Sequence, residues 1–472
     1  MGRALERLYA EMSEQPEVAR RLIDAPPSVL ETVARSVRAA PPRAIVLVAR
    51  GSSDHAATFG RYLFEVRNRA LTSLAAPSAF TLYGSGPDLR DTLVIAVSQS
   101  GRGEDVIAVI RAARRAGART LAIVNDTASP LASEAEWVVD IAAGPEESVP
   151  ATKTVLAQMT VLALLSSRFG VLAKPDERAR ATTPGADGSG ARLAVAPTAP
   201  GDRRAPDSAT AESAAGALRA EHVRAPEQGS SARAAGSEED ARGQPGAGGD
   251  SRADQPRLTV GVDACEREAG AAPDRTTSTQ SGASGDVPAT PDERSPTEAA
   301  SLAALPDALG IALSREAEVR AYAQELAQVE HLFVVGRGFA YPIALETALK
   351  FEEMARLHAG AWSSADFLHG PVTLVGPAHP VLALDAGGRS TAQVLEAVRT
   401  VADRGARPLL LRVGRIEASA ELPALTVACD LEEHHAAMVL LVLGQLLARE
   451  VAVARGLDPA TPPGLTKVTS TR

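Results

Sequence analysis

The chain has little aromatic character, almost no cysteine and almost no lysine. Phe, Trp and Tyr make up 3% of 472 residues against a 45% hydrophobic content, so aliphatic side chains must fill any core. The two cysteines, Cys265 and Cys429, have no metal-binding or redox spacing and suggest a reducing compartment. The N-terminus, MGRALERLYAEMSEQPEV, lacks the apolar core of a signal peptide, and no segment reads as apolar for the length of a membrane span. Met1-Gly2 opens like a myristoylation signal, but Glu6 stands where Ser or Thr is required. A net charge of −9 argues against nucleic acid or an anionic membrane as partner. The expectation is a cytoplasmic protein.

Lysine occurs only at Lys153, Lys174, Lys350 and Lys467, and arginine fills the other basic positions. In so Arg-biased a chain, lysine should persist where a guanidinium cannot substitute, as a compact point charge or as an amine that must lose its proton.

On the usual size per domain, this length accommodates about three domains. Residues 1 to about 40 read as helical. AIVLVA, at 44 to 49, is a continuous apolar run of the kind a parallel strand buried on both faces shows. DTLVIAVSQS repeats the plan, followed by a helix with Glu104 and Asp105 in its first turn and arginines in its last. TLAIVND and WVVDIAA supply further strands. The alternation predicts an α/β domain over 1–173, three-layered with a parallel sheet. From 174 to 300 the chain turns to small and charged residues, with no Phe, Trp or Tyr between Phe169 and Tyr322. Such a segment cannot bury enough apolar surface to offset its ordering entropy, and it reads as a disordered insertion. LTVGVDAC is its most structured-looking part. HLFVV, PVLALDA, RPLLLRV and LTVACD then repeat the first plan over 301–472, which implies an internal duplication with a site between the halves or between subunits.

Three stretches carry chemistry. SQSGRGED, Ser98 to Asp105, ends a strand and opens a helix, where small residues leave backbone N–H groups free for an anion; a plain turn has the same composition. GSSDHAA converges on the same sheet edge if strand 44–49 neighbours strand 93–97. AGPEESVPATKT places Val149, Thr152 and Lys153 near that rim, or is an ordinary N-cap turn. The richest stretch is Gly336 to Pro371, GRGFAYPIALETALKFEEMARLHAGAWSSADFLHGP. A helix from Tyr341 carries Glu346, Lys350 and Glu353 on one stripe, with Ile343, Leu345, Leu349 and Met354 for apolar contact, and a Gly-rich loop carries His369. The competing reading is a salt-bridged surface helix.

Together SQSGRGEDV, GPEESVPATKT, GRGFAYPIALETALKFEE, HAGAWSSADFLHGP and the terminal GLTKVT resemble the sugar isomerase (SIS) family. The likeness is nearest to SIS-type glucosamine-6-phosphate deaminases and to the isomerase half of glucosamine-6-phosphate synthase. It runs in order over both α/β units and leaves only the insertion uncovered. The resemblance implies two tandem αβα SIS units. It implies that Glu353 moves a proton between C1 and C2 of an open-chain sugar. It implies that His369 assists ring opening, often from a neighbouring subunit, and that Lys467 lies over the sugar. Lys350 is grouped with this catalytic set. The phosphate pocket carries over to Ser53, Ser98, Gln99 and Ser100, with Gly103 standing where relatives have Ser or Thr. Sugar contacts carry over to Val149 and the turn around it, Thr152 included. No cofactor and no metal are expected, and a homodimer with shared sites is. Interconverting an aldose and a ketose needs this kind of set: a carboxylate over two adjacent carbons, a near-neutral acid/base and an amine near the carbonyl.

Relatives that make glucosamine-6-phosphate carry a cysteine nucleophile after Met1, where this sequence has Gly2, and have Ser where it has Ala151. Both differences favour conversion of glucosamine-6-phosphate and water to fructose-6-phosphate and ammonia. The alternatives are a fructosamine-phosphate deglycase, a hexose-phosphate isomerase, and a sugar-phosphate-binding regulator. Glu432, Glu433, His434 and His435 invite a metal reading, but adjacent histidines face different sides of a helix and no third ligand is spaced to join them. His55 is a pocket residue or a packed one; His358 suits a helix end. Deleting residues 180 to 295 is expected to leave sugar-phosphate turnover and dimerisation intact, and loss of either in an activity and sedimentation comparison would show the segment to be structural.

Overall fold

The structure is a computed structural model and describes residues 2–172, 297–415 and 424–467. The expected disordered insertion up to residue 296, together with Lys174, His222, Cys265 and LTVGVDAC, lies outside the described residues.

Helices Gly2–Ser13, Gln15–Asp24 and Val29–Ala39 precede the first sheet. Its strands are β1 (Ala44–Val48), β2 (Thr72–Leu74), β3 (Thr92–Ser98), β4 (Arg119–Val124) and β5 (Trp137–Asp140). They pair in parallel in the order β2-β1-β3-β4-β5. The second sheet contains β6 (His331–Gly336), β7 (His358–Ser363), β8 (Val381–Asp385), β9 (Pro408–Gly414) and β10 (Ala424–Ala428), in the order β10-β9-β8-β6-β7. Counted within its own half, each sheet therefore runs 2-1-3-4-5. Strand order reverses between the first and third strands of each half, and the crevice at such a switch point is where open α/β sheets bind ligands.

Most apolar strand positions are fully buried, as parallel strands covered by helices on both faces must be. One continuous apolar core passes through both halves. At its centre is the helix Glu433–Ala454, packed on the helix Ala340–Ala355. The sequence reading found no apolar segment of membrane-spanning length, and this helix corrects it. It has 22 residues and a mean hydropathy of 1.8 in its most apolar stretch, yet 94% of that stretch is buried inside the protein. It is apolar all round because it is packed all round. The halves also meet through the helix Ser52–Val66, whose Phe59 lies 6.0 Å ring to ring from Phe339 of the second half.

Two short strands were not anticipated. The β2 run, Thr-Ser-Leu, is too short to show a period. The β7 run, His358–Ser363, contains Gly360 and has the composition of a loop; a Cβ on Gly360 would stand 2.1 Å from the Trp362 ring, which folds back over it and stacks on Phe333 at 5.4 Å. His358 therefore opens a strand and is not at a helix end; the helix before it stops at Ala355, where Arg356 takes a left-handed conformation. The helix Glu298–Ser314 begins earlier than the boundary at 301, capped by the Thr297 hydroxyl, which accepts from the Ala300 N–H.

The central helix pair is close because Gly444 faces Thr347: an added Cβ would lie 2.3 Å from the Thr347 Oγ1. Gly444→Val is expected to lower unfolding free energy by about 1–3 kcal/mol through overpacking. Gly310→Ala, at a mid-helix glycine with nothing within 4 Å of the new methyl, should raise it by about 0.4–1 kcal/mol. Urea unfolding of both variants checks this, and equal midpoints would refute the close-crossing account.

Candidate active site

Because β1 and β3 are neighbours, the loops that follow them form one rim at the C-terminal edge of the first sheet. The first loop turns at Gly51, φ +55°, and opens the helix at Ser52. The second closes on itself: the Gly101 N–H donates to the Ser98 Oγ at 3.0 Å and the Arg102 N–H to the Ser100 Oγ at 3.4 Å. Gly101 is required there, since its φ is +62° and a Cβ would stand 2.1 Å from the Ser129 Oγ. Behind the rim lies a cavity of about 400 Å³. Ser53, Ser98, Gln99, Ser100, Gly103, Val149, Glu353 and Lys467 all line it. Residues of the first half, the second half and the C-terminal segment thus converge on one space.

The helix Ala340–Ala355 delivers Glu353 in a manner opposite to a surface helix. Its charged stripe faces inward: Glu346 and Lys350 are fully buried, while Leu345 and Leu349, expected as contact residues, are partly exposed. The Lys350 Nζ donates to the Ser52 Oγ at 3.1 Å, lies 3.4 Å from the Glu346 Oε1 and contacts the Glu353 carboxylate directly. The other oxygen of Glu346 is 2.6 Å from the His55 Nδ1. Burial alone would neutralise both groups. Lys350 and His55 instead hold the Glu346 carboxyl below its ordinary range, and the carboxylates of Glu346 and Glu353 hold the Lys350 ammonium above its own. Lys350 is therefore a fixed positive charge behind Glu353, and it does not itself line the cavity.

Lys467 is anchored by a residue that nothing in its local sequence singles out. Glu146 is fully buried and accepts from the Thr152 N–H at 2.9 Å, the Thr154 Oγ1 at 2.6 Å and the Lys467 Nζ at 2.9 Å. Burial pushes its carboxyl upward, but Lys467 and these hydrogen bonds more than offset that and hold it low. The backbone of the same turn is tied to the C-terminal segment, with the Val149 N–H donating to the Ala460 carbonyl at 3.1 Å.

Several expectations need correction. Thr152 is buried and spends its N–H and hydroxyl on Glu146, away from the cavity. Lys153 turns from the rim to pair with Glu14 at 2.5 Å. His369 ends a short helix, Ser364–His369, where a loop was expected, and lines a different cavity of about 320 Å³ with Arg337, Ser364 and Gln393. Within one chain it is not brought together with Glu353 and Lys467. A third group does join His434 and His435: Glu298, which the sequence gave no means to place there. The cavity also gains Arg50, Ser52 and Asp105, with the Arg50 Nε 2.5 Å from the Asp105 Oδ2. The GSSD and GED motifs contain two of these, but only the sheet order makes them neighbours.

Since the Glu146 carboxyl is held below its unfolded value, its contribution is complete above the ordinary carboxylate range and is lost as pH falls through the depressed folded value. Amide hydrogen exchange of residues 456–467, measured against the intrinsic rate of an unfolded chain at the same pH, should be slow at neutral pH and lose this protection in acid. In Glu146→Gln it should already be fast at neutral pH, the loss of one partner of a buried pair costing roughly 3–5 kcal/mol. Unchanged protection would remove Glu146 as the anchor.

Comparison with known proteins agrees with this fold. The SIS domain model matches residues 40–168 and 325–455, one segment in each half. The chain is 27% identical over 98% of its length to the glutamine–fructose-6-phosphate aminotransferase (isomerizing) of Methanothermobacter thermautotrophicus and 26% identical to that of Thermococcus kodakarensis. It covers 56% and 57% of those proteins, just over half of their length. Among solved structures it resembles the C-terminal domain of glucosamine-fructose-6-phosphate aminotransferase from Francisella tularensis, with a TM-score of 0.63, 19% identity and coverage of 98% of this chain and 99% of that one. Glucosamine-6-phosphate deaminase from Thermotoga maritima gives a TM-score of 0.55 at 15% identity, with 98% and 99% coverage. At these identities the likeness speaks to the fold. With both halves matched and both sheets ordered alike, the chain belongs to the SIS domain family of sugar isomerases.

Proposed function

We propose that the protein is an amino-sugar phosphate deaminase that converts glucosamine-6-phosphate and water to fructose-6-phosphate and ammonia. The observation that carries this reading is the placement of Glu353 and Lys467 in one cavity with the Ser98–Gly103 loop. The loop and Ser53 offer hydroxyls and N–H groups to a phosphate at one end. Glu353 stands at the other as the base for a carbon acid.

In this reading the substrate reacts as the open-chain aldehyde. Glu353 takes the proton from C2, the electron pair forms the enaminol, and the same carboxyl returns the proton to C1. The product is an imine at C2. Water adds to that imine, and ammonia leaves as the C2 carbonyl forms. Lys467, paired with Glu146, is a cation in this setting and acts as a donor to the sugar oxygens. Lys350 fixes the position of Glu353. His369 would assist ring opening from a second copy of the chain, so the working form proposed is a cytoplasmic homodimer. The same carboxylate would serve isomerisation of a hexose phosphate that lacks the amine, and the assay separates the two.

Purified protein should release ammonia from glucosamine-6-phosphate and exchange the C2 proton with deuterated solvent. Glu353→Gln should reduce both by about 100- to 10,000-fold while binding of the sugar phosphate persists. Turnover of glucose-6-phosphate with no ammonia from the amino sugar would move the assignment to the isomerase, and full activity of Glu353→Gln would remove Glu353 as the base.

A further inference from the structure

A second cluster of chemistry-bearing side chains lies away from the sugar cavity. Glu298 opens the helix Glu298–Ser314, and His434 and His435 occupy the first turn of the helix Glu433–Ala454. One ligand atom from each of the three lies within 4.8 Å of the others. The His434 Nε2 is 3.4 Å from either oxygen of Glu298, and the His435 Nε2 is 3.9 Å from the Oε1. Donors held at about 2.0–2.1 Å from a tetrahedral zinc ion are separated by roughly 3.3–3.4 Å, so little movement would complete the set.

The surroundings of the histidines point the same way. His435 is fully buried, and its Nε2 has no hydrogen-bond partner. A buried ring nitrogen left without a partner costs stability unless something else satisfies it. Its other nitrogen, Nδ1, is 2.7 Å from the Ser301 Oγ, and that oxygen accepts the Glu432 N–H at 2.7 Å. An outer partner of this kind orients a histidine whose far nitrogen ligates a metal. His434 is 3% exposed and packs against His435, with ring centres 4.0 Å apart and the planes inclined at 44°.

A positive charge already stands at the focus. The Arg67 Nη1 is 2.6 Å from the Glu298 Oε2 and 3.1 Å from the His434 Nε2. The guanidinium thus meets two of the three groups and leaves the third, the His435 Nε2, unmet. Arg67 follows the end of the helix Ser52–Val66 with its side chain 25% exposed, so it has solvent to turn into.

We propose that Glu298, His434 and His435 form a mononuclear site for a divalent transition-metal ion, best matched by zinc, with water as the fourth ligand and Arg67 as the competing cation. The mixed nitrogen and oxygen set suits zinc. None of the three lines the cavity that holds Glu353, so the ion has a structural role: it ties the first helix of the second half to the central helix, beside Arg67 of the first half.

The test uses the full chain, loaded with zinc or cobalt(II), freed of excess metal and analysed for metal per chain and for the visible bands of tetrahedral cobalt(II). One ion per chain is expected, with a melting temperature that rises with zinc concentration. Glu298→Gln should weaken binding at least about 100-fold, and His435→Gln should abolish it. Arg67→Gln should tighten it by about tenfold as the competing cation is removed. If His435→Gln does not fold, Glu298→Gln decides, because Glu298 is partly exposed and opens its helix. A wild-type chain that retains no stoichiometric ion, or an ion retained equally by Glu298→Gln, overturns the proposal.

Discussion

A fully buried ammonium has to be neutralised where it stands, and much of this molecule is arranged around that requirement at Lys350. Its three partners come from two places: Glu346 and Glu353 one turn away on the same helix, and the Ser52 hydroxyl from the first half. Glu346 in turn meets His55, also from the first half. A buried pair of this kind adds little net stability, because desolvation offsets most of the attraction. Its consequence is geometric. The Ser52 and His55 contacts bind this charged cluster to the first half, so Glu353 is held over the first half's crevice by the same contacts that join the halves.

The duplication is used unequally. The first sheet's switch point opens into the cavity with its ring of hydroxyls. At the second sheet's equivalent place the chain supplies its own anion: the Glu433 carboxylate accepts from the Arg389 N–H at 3.0 Å and from the Ser390 hydroxyl at 2.6 Å. A Cβ on Gly388 would stand 2.4 Å from the same carboxylate. The first half holds the open crevice; the second contributes Glu353 from its own helix.

The strands that formed continuous apolar runs were legible at once, since a strand buried on both faces must be apolar throughout. So were the Ser98 loop and the stripe that Glu346, Lys350 and Glu353 share, which need only local spacing; that the stripe faces inward was decided by the packing of the halves. Lysine scarcity was informative too: each described lysine is a buried or semi-buried charge with a carboxylate partner. What was missed has a common cause. Glu146 looked like one acid in a Glu-rich turn, yet it holds a lysine 321 positions away. Glu298 joins two histidines 136 and 137 positions on. HAGAWS becomes a strand by pairing with β6, where Trp362 stacks on Phe333. Pairings over such distances leave no periodic trace.

The sequence by itself determined the alternation of elements, their duplication and the kinds of groups available for chemistry, because local hydrophobic period and turn residues act over a few positions. Tertiary structure alone decided which of those groups meet. It drew Lys467 to Glu146, turned Lys153 and Thr152 away from the cavity and set His369 in another. The physical reason is that a buried charge must find its partner wherever the packed chain provides one, and the packing of two sheets, not proximity in sequence, decides what is near.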